Sequence, residues 1–225
     1  MSRTGPLRLV VFASGQGFTL QALLDAIAAG QLAASVAAVC SDRPGAPVLD
    51  RARAAGIDII ALSPRAYPDR AAFDRALFAA ARDRNPELTV LAGYMRIIDP
   101  DVVAQAYPDM INLHPSLLPK YPGLGTHARA LAAGDREHGA SVHMVIPELD
   151  AGPVLARVRV PVRPGDDPQT LAARVRGREQ PLLVACIDLI TRGRLRLRPH
   201  GPELDGAALV TPLELDRENR LEPMA

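Results

Sequence analysis

Apolar and polar positions alternate along the first half of the chain in a strand–helix rhythm. Residues 7–13 form a short apolar run with β-branched members that ends in Ser14-Gly15-Gln16-Gly17. Leu20, Leu23, Leu24 and Ile27 then fall at i, i+3, i+4 and i+7, which predicts a helix over 19–29 with Gly30 as its stop. The alternation continues with predicted strands at 35–40, 57–62, 88–91 and 110–113 and helices at 48–55, 69–84 and 100–106. This pattern predicts an α/β fold, a doubly wound and mostly parallel sheet that right-handed crossovers bury on both faces. After residue 113 the rhythm changes. Residues 114–125 read as a Pro/Gly-rich loop and 128–133 as a short helix. Two antiparallel C-terminal strands follow at 140–146 and 154–160, then a terminal helix at 168–190. Residues 199–225 carry Pro, Gly and charge with little periodicity and read as a tail.

Composition narrows the function classes. With 225 residues, 48% of them hydrophobic and 23% charged, the chain is ordinary globular material and not a disordered one. Aromatics are 4% with no Trp, so the apolar content is mostly Ala, Val, Leu and Ile, which suits helices and buried parallel strands. Lys+Arg at 26 against Asp+Glu at 25 leaves a net charge of +1. That balance lacks the basic excess of nucleic-acid-binding proteins. No apolar run reaches the roughly 18 residues of a membrane span. The N-terminus reads as a first strand and not as a signal peptide, so a cytoplasmic location is expected. Cys40 and Cys186 lie far apart in apolar runs and read as buried free thiols. Neither the cysteines nor the histidines show metal-ligand spacing.

Three segments carry candidate chemistry. Ser14-Gly15-Gln16-Gly17 stands between a strand and a helix, where glycines let backbone N–H groups approach an anion at the helix N-terminus. The third glycine of the dinucleotide fingerprint is absent, so one phosphate fits better than a dinucleotide; the plain alternative is a tight turn. Asn112 and His114 are two apart at the carboxyl end of a strand, which puts both side chains on one face. A carboxamide beside an imidazole can hold a developing oxyanion and move protons; the alternative is a polar strand end satisfied by loops. Asp150 lies in Glu148-Leu149-Asp150-Ala151-Gly152-Pro153 and is either a turn former or a carboxylate that orients an imidazole and raises its pKa. Among the other histidines, His127 reads as a site-wall residue, His138 as solvated and His143 as structural.

Asn112-Leu113-His114-Pro115-Ser116-Leu117-Leu118-Pro119-Lys120-Tyr121-Pro122-Gly123, then Gly139-Ala140-Ser141-Val142-His143 and Leu149-Asp150-Ala151-Gly152-Pro153, closely resembles the folate-dependent formyltransferases. Ser14-Gly15-Gln16-Gly17 and Leu91-Ala92-Gly93-Tyr94-Met95-Arg96-Ile97 extend the likeness, which runs in order from Leu7 to Leu197. The resemblance implies a Rossmann-like fold in one domain over 1–198, with a phosphate-binding half at 1–106 and a catalytic and folate half at 107–198, followed by the tail at 199–225. It implies the purine-synthesis branch, in which 10-formyltetrahydrofolate is the co-substrate and the acceptor is the amine of a phosphoribosylglycinamide. On that resemblance Asn112, His114 and Asp150 are catalytic, with Asp150 keeping His114 charged. Gly17, Phe18, Thr19 and Glu179 bind the phosphate and glycinamide. Arg70, Leu91, Met95, Arg96, Ile97, Ile98, Val103 and Asn112 bind folate. No metal is implied, and the partners are small molecules, with no nucleic acid or membrane, for a monomer or homodimer.

The chain departs from the family pattern in places. Phe18 and Thr19 stand where relatives have a small hydroxyl residue and Asn. Gly125 stands where many carry His, and Pro181 closely follows Glu179. Two other readings remain: a formyltetrahydrofolate deformylase-like hydrolase, or a catalytically decayed phosphate-ligand-binding relative. The sister enzymes carry an additional N-terminal or C-terminal domain, and the length of this chain favours the purine branch over them.

Overall fold

The computed structural model describes residues 5–223. Strands β1 (Leu7–Phe12), β2 (Ala34–Ser41), β3 (Asp58–Ala61), β4 (Leu88–Leu91) and β5 (Met110–His114) run parallel in the order β5-β4-β1-β2-β3. β6 (Glu137–Met144) pairs antiparallel with β5, and β7 (Val154–Pro161) antiparallel with β6. Helices α1 (Phe18–Ala28), α2 (Pro47–Ala54), α3 (Arg70–Arg82), α4 (Pro100–Ala106), α5 (Thr126–Ala132) and α6 (Pro168–Thr191) connect and cover the sheet. The doubly wound α/β architecture is the one the alternation predicts.

Burial on both faces explains why β1 reads as a continuous apolar run. Leu9 and Val11 join one core, with Leu20 and Leu23 of α1, Leu49 of α2 and Leu183 of α6. Val10 and Phe12 join the other, with Phe73 and Phe78 of α3 and Val102 of α4. The period of two sends alternate side chains to opposite layers, and neither layer meets water. In the second core Phe12 stacks on Phe78 with centroids 4.5 Å apart, and Tyr94 meets Phe12 edge-on at 5.5 Å.

Short polar side chains start several helices. Asp69 accepts the Ala72 N–H at 2.7 Å to open α3, and Asp99 accepts that of Asp101 at 3.1 Å to open α4. Asp167 and Thr170 form a reciprocal capping box at the start of α6. Pro181 lies inside α6 and removes one N–H from its ladder, yet the helix continues to Thr191. Leu182, Leu183 and Ile187, fully buried beyond the proline, carry it across that gap. Cys40 and Cys186 are free and buried, and burial pushes the Cys186 thiol up to about 12.

Residues 199–223 differ from the aperiodic tail of the sequence reading; 224 and 225 lie outside the described residues. β8 (Leu195–Arg196), β9 (Glu203–Leu204) and β10 (Ala207–Ala208) form a small antiparallel sheet. β11 (Leu213–Leu215) then pairs parallel with β7, and β12 (Leu221–Glu222) pairs with β11, completing a main sheet of nine strands among the described residues. Strands of two or three residues are too short for periodicity to register. Leu213 is fully buried in the first core, and Glu214 pairs with Arg157 of β7. Leu213→Ala is therefore expected to cost about 2–5 kcal/mol in denaturant unfolding, as for other core truncations. A loss under about 0.5 kcal/mol, the usual size for a surface site, would show that the segment is only appended.

Candidate active site

The strand period places Asn112 and His114 of β5 together on a cavity of about 650 Å³ at the carboxyl end of the parallel strands. That volume is in the ordinary range for a small-molecule site. Leu91, Met95, Arg96, Ile97, Ile98 and Val103, the residues the resemblance assigns to folate, line the same cavity. Met95 and Ile97 stand exposed at 58% and 55%, leaving apolar surface for a ligand to cover.

Asp150 arrives from the β6–β7 turn, where its φ is +51°. The turn is tight: a Cβ on Gly152 would lie 1.9 Å from the Met144 carbonyl oxygen, so only glycine fits there. The carboxylate collects groups from several stretches of chain. Oδ2 accepts the Gly123 N–H at 2.8 Å, and Oδ1 accepts from Asn112 Nδ2 at 3.3 Å. His114 Nδ1 and His143 Nε2 each approach to 3.4 Å. His143 also meets Asn112 Nδ2 at 3.1 Å, because the antiparallel register sets Asn112 opposite His143. His143 was read as structural; it belongs to the site. Its Nδ1 faces the Met144 carbonyl at 2.8 Å, which requires a hydrogen on that nitrogen.

The loop after β5 holds His114. Ser116 Oγ donates to the Lys120 and Tyr121 carbonyls at 2.6 and 3.3 Å, and Ser141 Oγ donates to the Ser116 carbonyl at 2.7 Å. The loop folds back, so the Tyr121 carbonyl meets His114 Nε2 at 2.9 Å. A carbonyl only accepts, so Nε2 carries the hydrogen and Nδ1 is the ring position that gains or loses a proton. Burial pushes the His114 pKa below 6.5; the Tyr121 carbonyl and Asp150 pull upward and do not overcome it. The carboxylate acts in the direction the sequence argument gives it, but desolvation wins. The resting imidazole is neutral at pH 7, in place of the charged ring inferred from the Asp–His pairing. Burial also raises the Asp150 carboxyl, but the His143 ring beside it and the Gly123 N–H outweigh this and keep it ionised.

Gly17, Phe18, Thr19, Arg70 and Glu179 lie outside the cavity lining. Gly17 has φ +74°, and a Cβ there would come within 2.6 Å of Val48 Cγ2. It caps α1, which Phe18 and Thr19 begin. Phe18 is 45% exposed, with the Arg51 guanidinium 5.1 Å above its ring. In the sheet, β4 lies between β1, which leads into this loop, and β5, which carries Asn112. Arg70 opens α3 and contributes to the field on buried Asp74. Glu179, on α6, has its carboxyl pushed up to about 7 by burial. His127 lines the cavity, as read from the sequence. His138 was read as solvated; it is 1% exposed, and its Nε2 lies 3.1 Å from His127 Nδ1. Among the described residues no cluster of His, Cys, Asp and Glu is arranged to hold a metal ion, and no helix is long and apolar enough to cross a membrane.

An α/β sheet with an Asn–His–Asp cluster at the carboxyl ends of its strands defines the site class, and comparison with known proteins gives it a family. The Formyl transferase family profile matches residues 7–187. The chain belongs to the formyl transferase family. It is 43% identical over 203 residues to the phosphoribosylglycinamide formyltransferase of Escherichia coli K12, covering 90% of this chain and 96% of that protein. It is 34% identical over 194 residues to the human trifunctional purine biosynthetic protein adenosine-3, covering 86% of this chain and 19% of that one. The solved structure of a Coxiella burnetii phosphoribosylglycinamide formyltransferase superposes with a TM-score of 0.86 at 42% identity, covering 91% of this chain and 96% of that one.

Burial holds His114, His127 and His138 below the usual histidine value, His138 at about 4. The unfolded chain therefore binds protons first as pH falls, and stability drops from about pH 6.5 toward pH 4. His138 accounts for at most about 3 kcal/mol of that loss. Thermal unfolding across this window is expected to show a falling midpoint, flatter in His138→Gln. A midpoint independent of pH would contradict the assignment.

Proposed function

We propose that the chain transfers the formyl group of 10-formyltetrahydrofolate to the amine of phosphoribosylglycinamide, in purine biosynthesis in the cytoplasm. The observation that carries this reading is the Asp150-centred cluster of Asn112, His114 and His143 on the wall of an apolar cavity. The family membership and the names of the relatives support the same activity.

The geometry suits formyl transfer as follows. The cavity wall of Leu91, Met95, Ile97, Ile98 and Val103 takes the flat rings of the donor, with Arg96 at their polar edge and Arg70 toward the outer part of the molecule. The phosphate of the acceptor sits on the backbone N–H groups of Gly17, Phe18 and Thr19. The ribosyl unit would then run from this loop, after β1, toward Asn112 on β5. Glu179 on α6 is assigned to the glycinamide of the acceptor on the family resemblance alone. The neutral amine attacks the formyl carbon, and Asn112 Nδ2 turns one of its two N–H groups from the Asp150–His143 side to the oxyanion that forms. Neutral His114 takes the proton released by the nitrogen at Nδ1, and ionised Asp150 beside it stabilises the resulting imidazolium. That proton passes to the leaving N10 of the folate, and the C–N10 bond breaks. Holding both substrates side by side supplies much of the rate through orientation.

A second reading, hydrolysis of the donor with water as the attacking group, uses the same cluster. Incubation of the donor with and without phosphoribosylglycinamide separates the two. Formylated acceptor is expected; free formate in the absence of acceptor would identify a hydrolase, and no turnover in either arm would leave only a binding protein. His114→Ala is expected to lower kcat roughly a thousandfold, and Asn112→Ala by about 10²–10³, with donor binding retained in both by calorimetry.

A further inference from the structure

Behind the catalytic cluster lies a second pair of imidazoles that the transfer step does not use. His127 stands on α5 and His138 at the second position of β6. Their rings are perpendicular, with centroids 5.1 Å apart, and His138 Nε2 lies 3.1 Å from His127 Nδ1. One of these two nitrogens must be the donor, and the surroundings decide which.

His138 also bonds to the backbone of Pro115. Proline has no N–H, so the partner is its carbonyl oxygen, which only accepts. The nitrogen of His138 that faces Pro115 therefore carries a hydrogen. Burial holds His138 at about 4, so near pH 7 the ring has a single hydrogen and Nε2 is bare. Asp135 pulls this value upward, whereas His127 and His114 push it down with the burial. His127 must then donate from Nδ1. It too is held below the usual value, by burial and by the Arg176 cation, so its own Nε2 is bare. His127 lines the cavity, and its Nε2 makes no hydrogen bond to any described residue. Gly125, at the start of α5, brings no side chain to that part of the wall.

We propose that His138 is a positioning residue that locks His127 in the Nδ1–H tautomer, so that the wall presents a hydrogen-bond acceptor to an N–H or O–H group of the acceptor substrate. The order of donation runs from His127 through His138 to the Pro115 carbonyl, next to His114 on the catalytic loop. A site that presents an acceptor favours a ligand with a donor and leaves a ligand lacking one unpaired. The identity of that ligand rests on the function proposed above; the tautomer does not.

Imidazole nitrogen NMR of the labelled full chain near pH 7.5, without ligand, reads the tautomer directly. The expected spectrum has His127 protonated at Nδ1 and bare at Nε2. In His138→Gln a carboxamide can still donate to Pro115 and accept from His127, so the tautomer and the kinetics should persist. In His138→Leu both bonds are lost, and His127 should show Nε2–H as well. The same variant should raise KM for phosphoribosylglycinamide about tenfold, or ~1.4 kcal/mol, with the donor KM unchanged. A wild-type His127 protonated at Nε2, or a tautomer unaltered by His138→Leu, would overturn the proposal. If the wild-type protein turns over neither acceptor, the substrate assignment falls, while the spectrum still decides the tautomer.

Discussion

The Asp150 carboxylate is buried, ionised and shared among strands and loops that are distant in sequence. An isolated carboxylate in that position would be strongly disfavoured, so the groups that face it are structural requirements as much as chemical ones. The Gly123 N–H comes from the loop after β5, Asn112 and His114 from β5, and His143 from β6. Each must arrive with a donor or a ring nitrogen turned toward the same two oxygens. This fixes the antiparallel register of β5 and β6, the fold of the Ser116–Tyr121 loop and the sharp turn between β6 and β7 all at once.

The electrostatics of the site follow from that arrangement. Desolvation keeps the His114, His127 and His138 rings neutral, so Asp150 is the charge at the centre of the cluster. His114 Nδ1 and Asp150 Oδ2 stand 3.4 Å apart, longer than a charge-assisted hydrogen bond and consistent with two acceptors facing each other. A proton arriving on Nδ1 would convert that opposition into attraction. The site is arranged for a proton that appears during the reaction and is absent at rest, which is where preorganised electrostatics lowers a barrier most.

Much of this was legible in the sequence, for identifiable reasons. β1 to β5 were visible because both faces of the sheet are buried and each strand becomes an apolar run. Asn112 and His114 could be placed on one face because strand geometry has a period of two. His143 was misread because its partner Asn112 is set by strand register, and an apolar strand shows no sign of what lies opposite. His138 was misread because Arg136 and Glu137 precede it and suggest a solvated loop; β6 begins at Glu137. The charge state of His114 depends on how much desolvation opposes Asp150, and no residue spacing encodes that balance.

The C-terminal segment joins these points. β6 and β7 shift register at Val142 and His143: Val142 pairs with Ala156 and His143 with Val154, leaving Leu155 as the extra residue. Such a bulge bends the strand and re-aims a side chain, and here it falls at the histidine that turns toward Asp150. A bulged strand on the rim of a sheet would be free to slip or to pair with another chain. β11 prevents this by pairing with Ala156 and Arg157 of β7, immediately beside the bulge. Leu213 anchors β11 in the core, and Glu214 engages Arg157 and Arg159 on β7. The stretch with the least periodicity in the sequence therefore lies against the strand that carries the chain away from the Asp150 turn. Its contribution to the site is mechanical: it closes the open side of β7, so that the register placing His143 against Asn112 and Asp150 has no alternative.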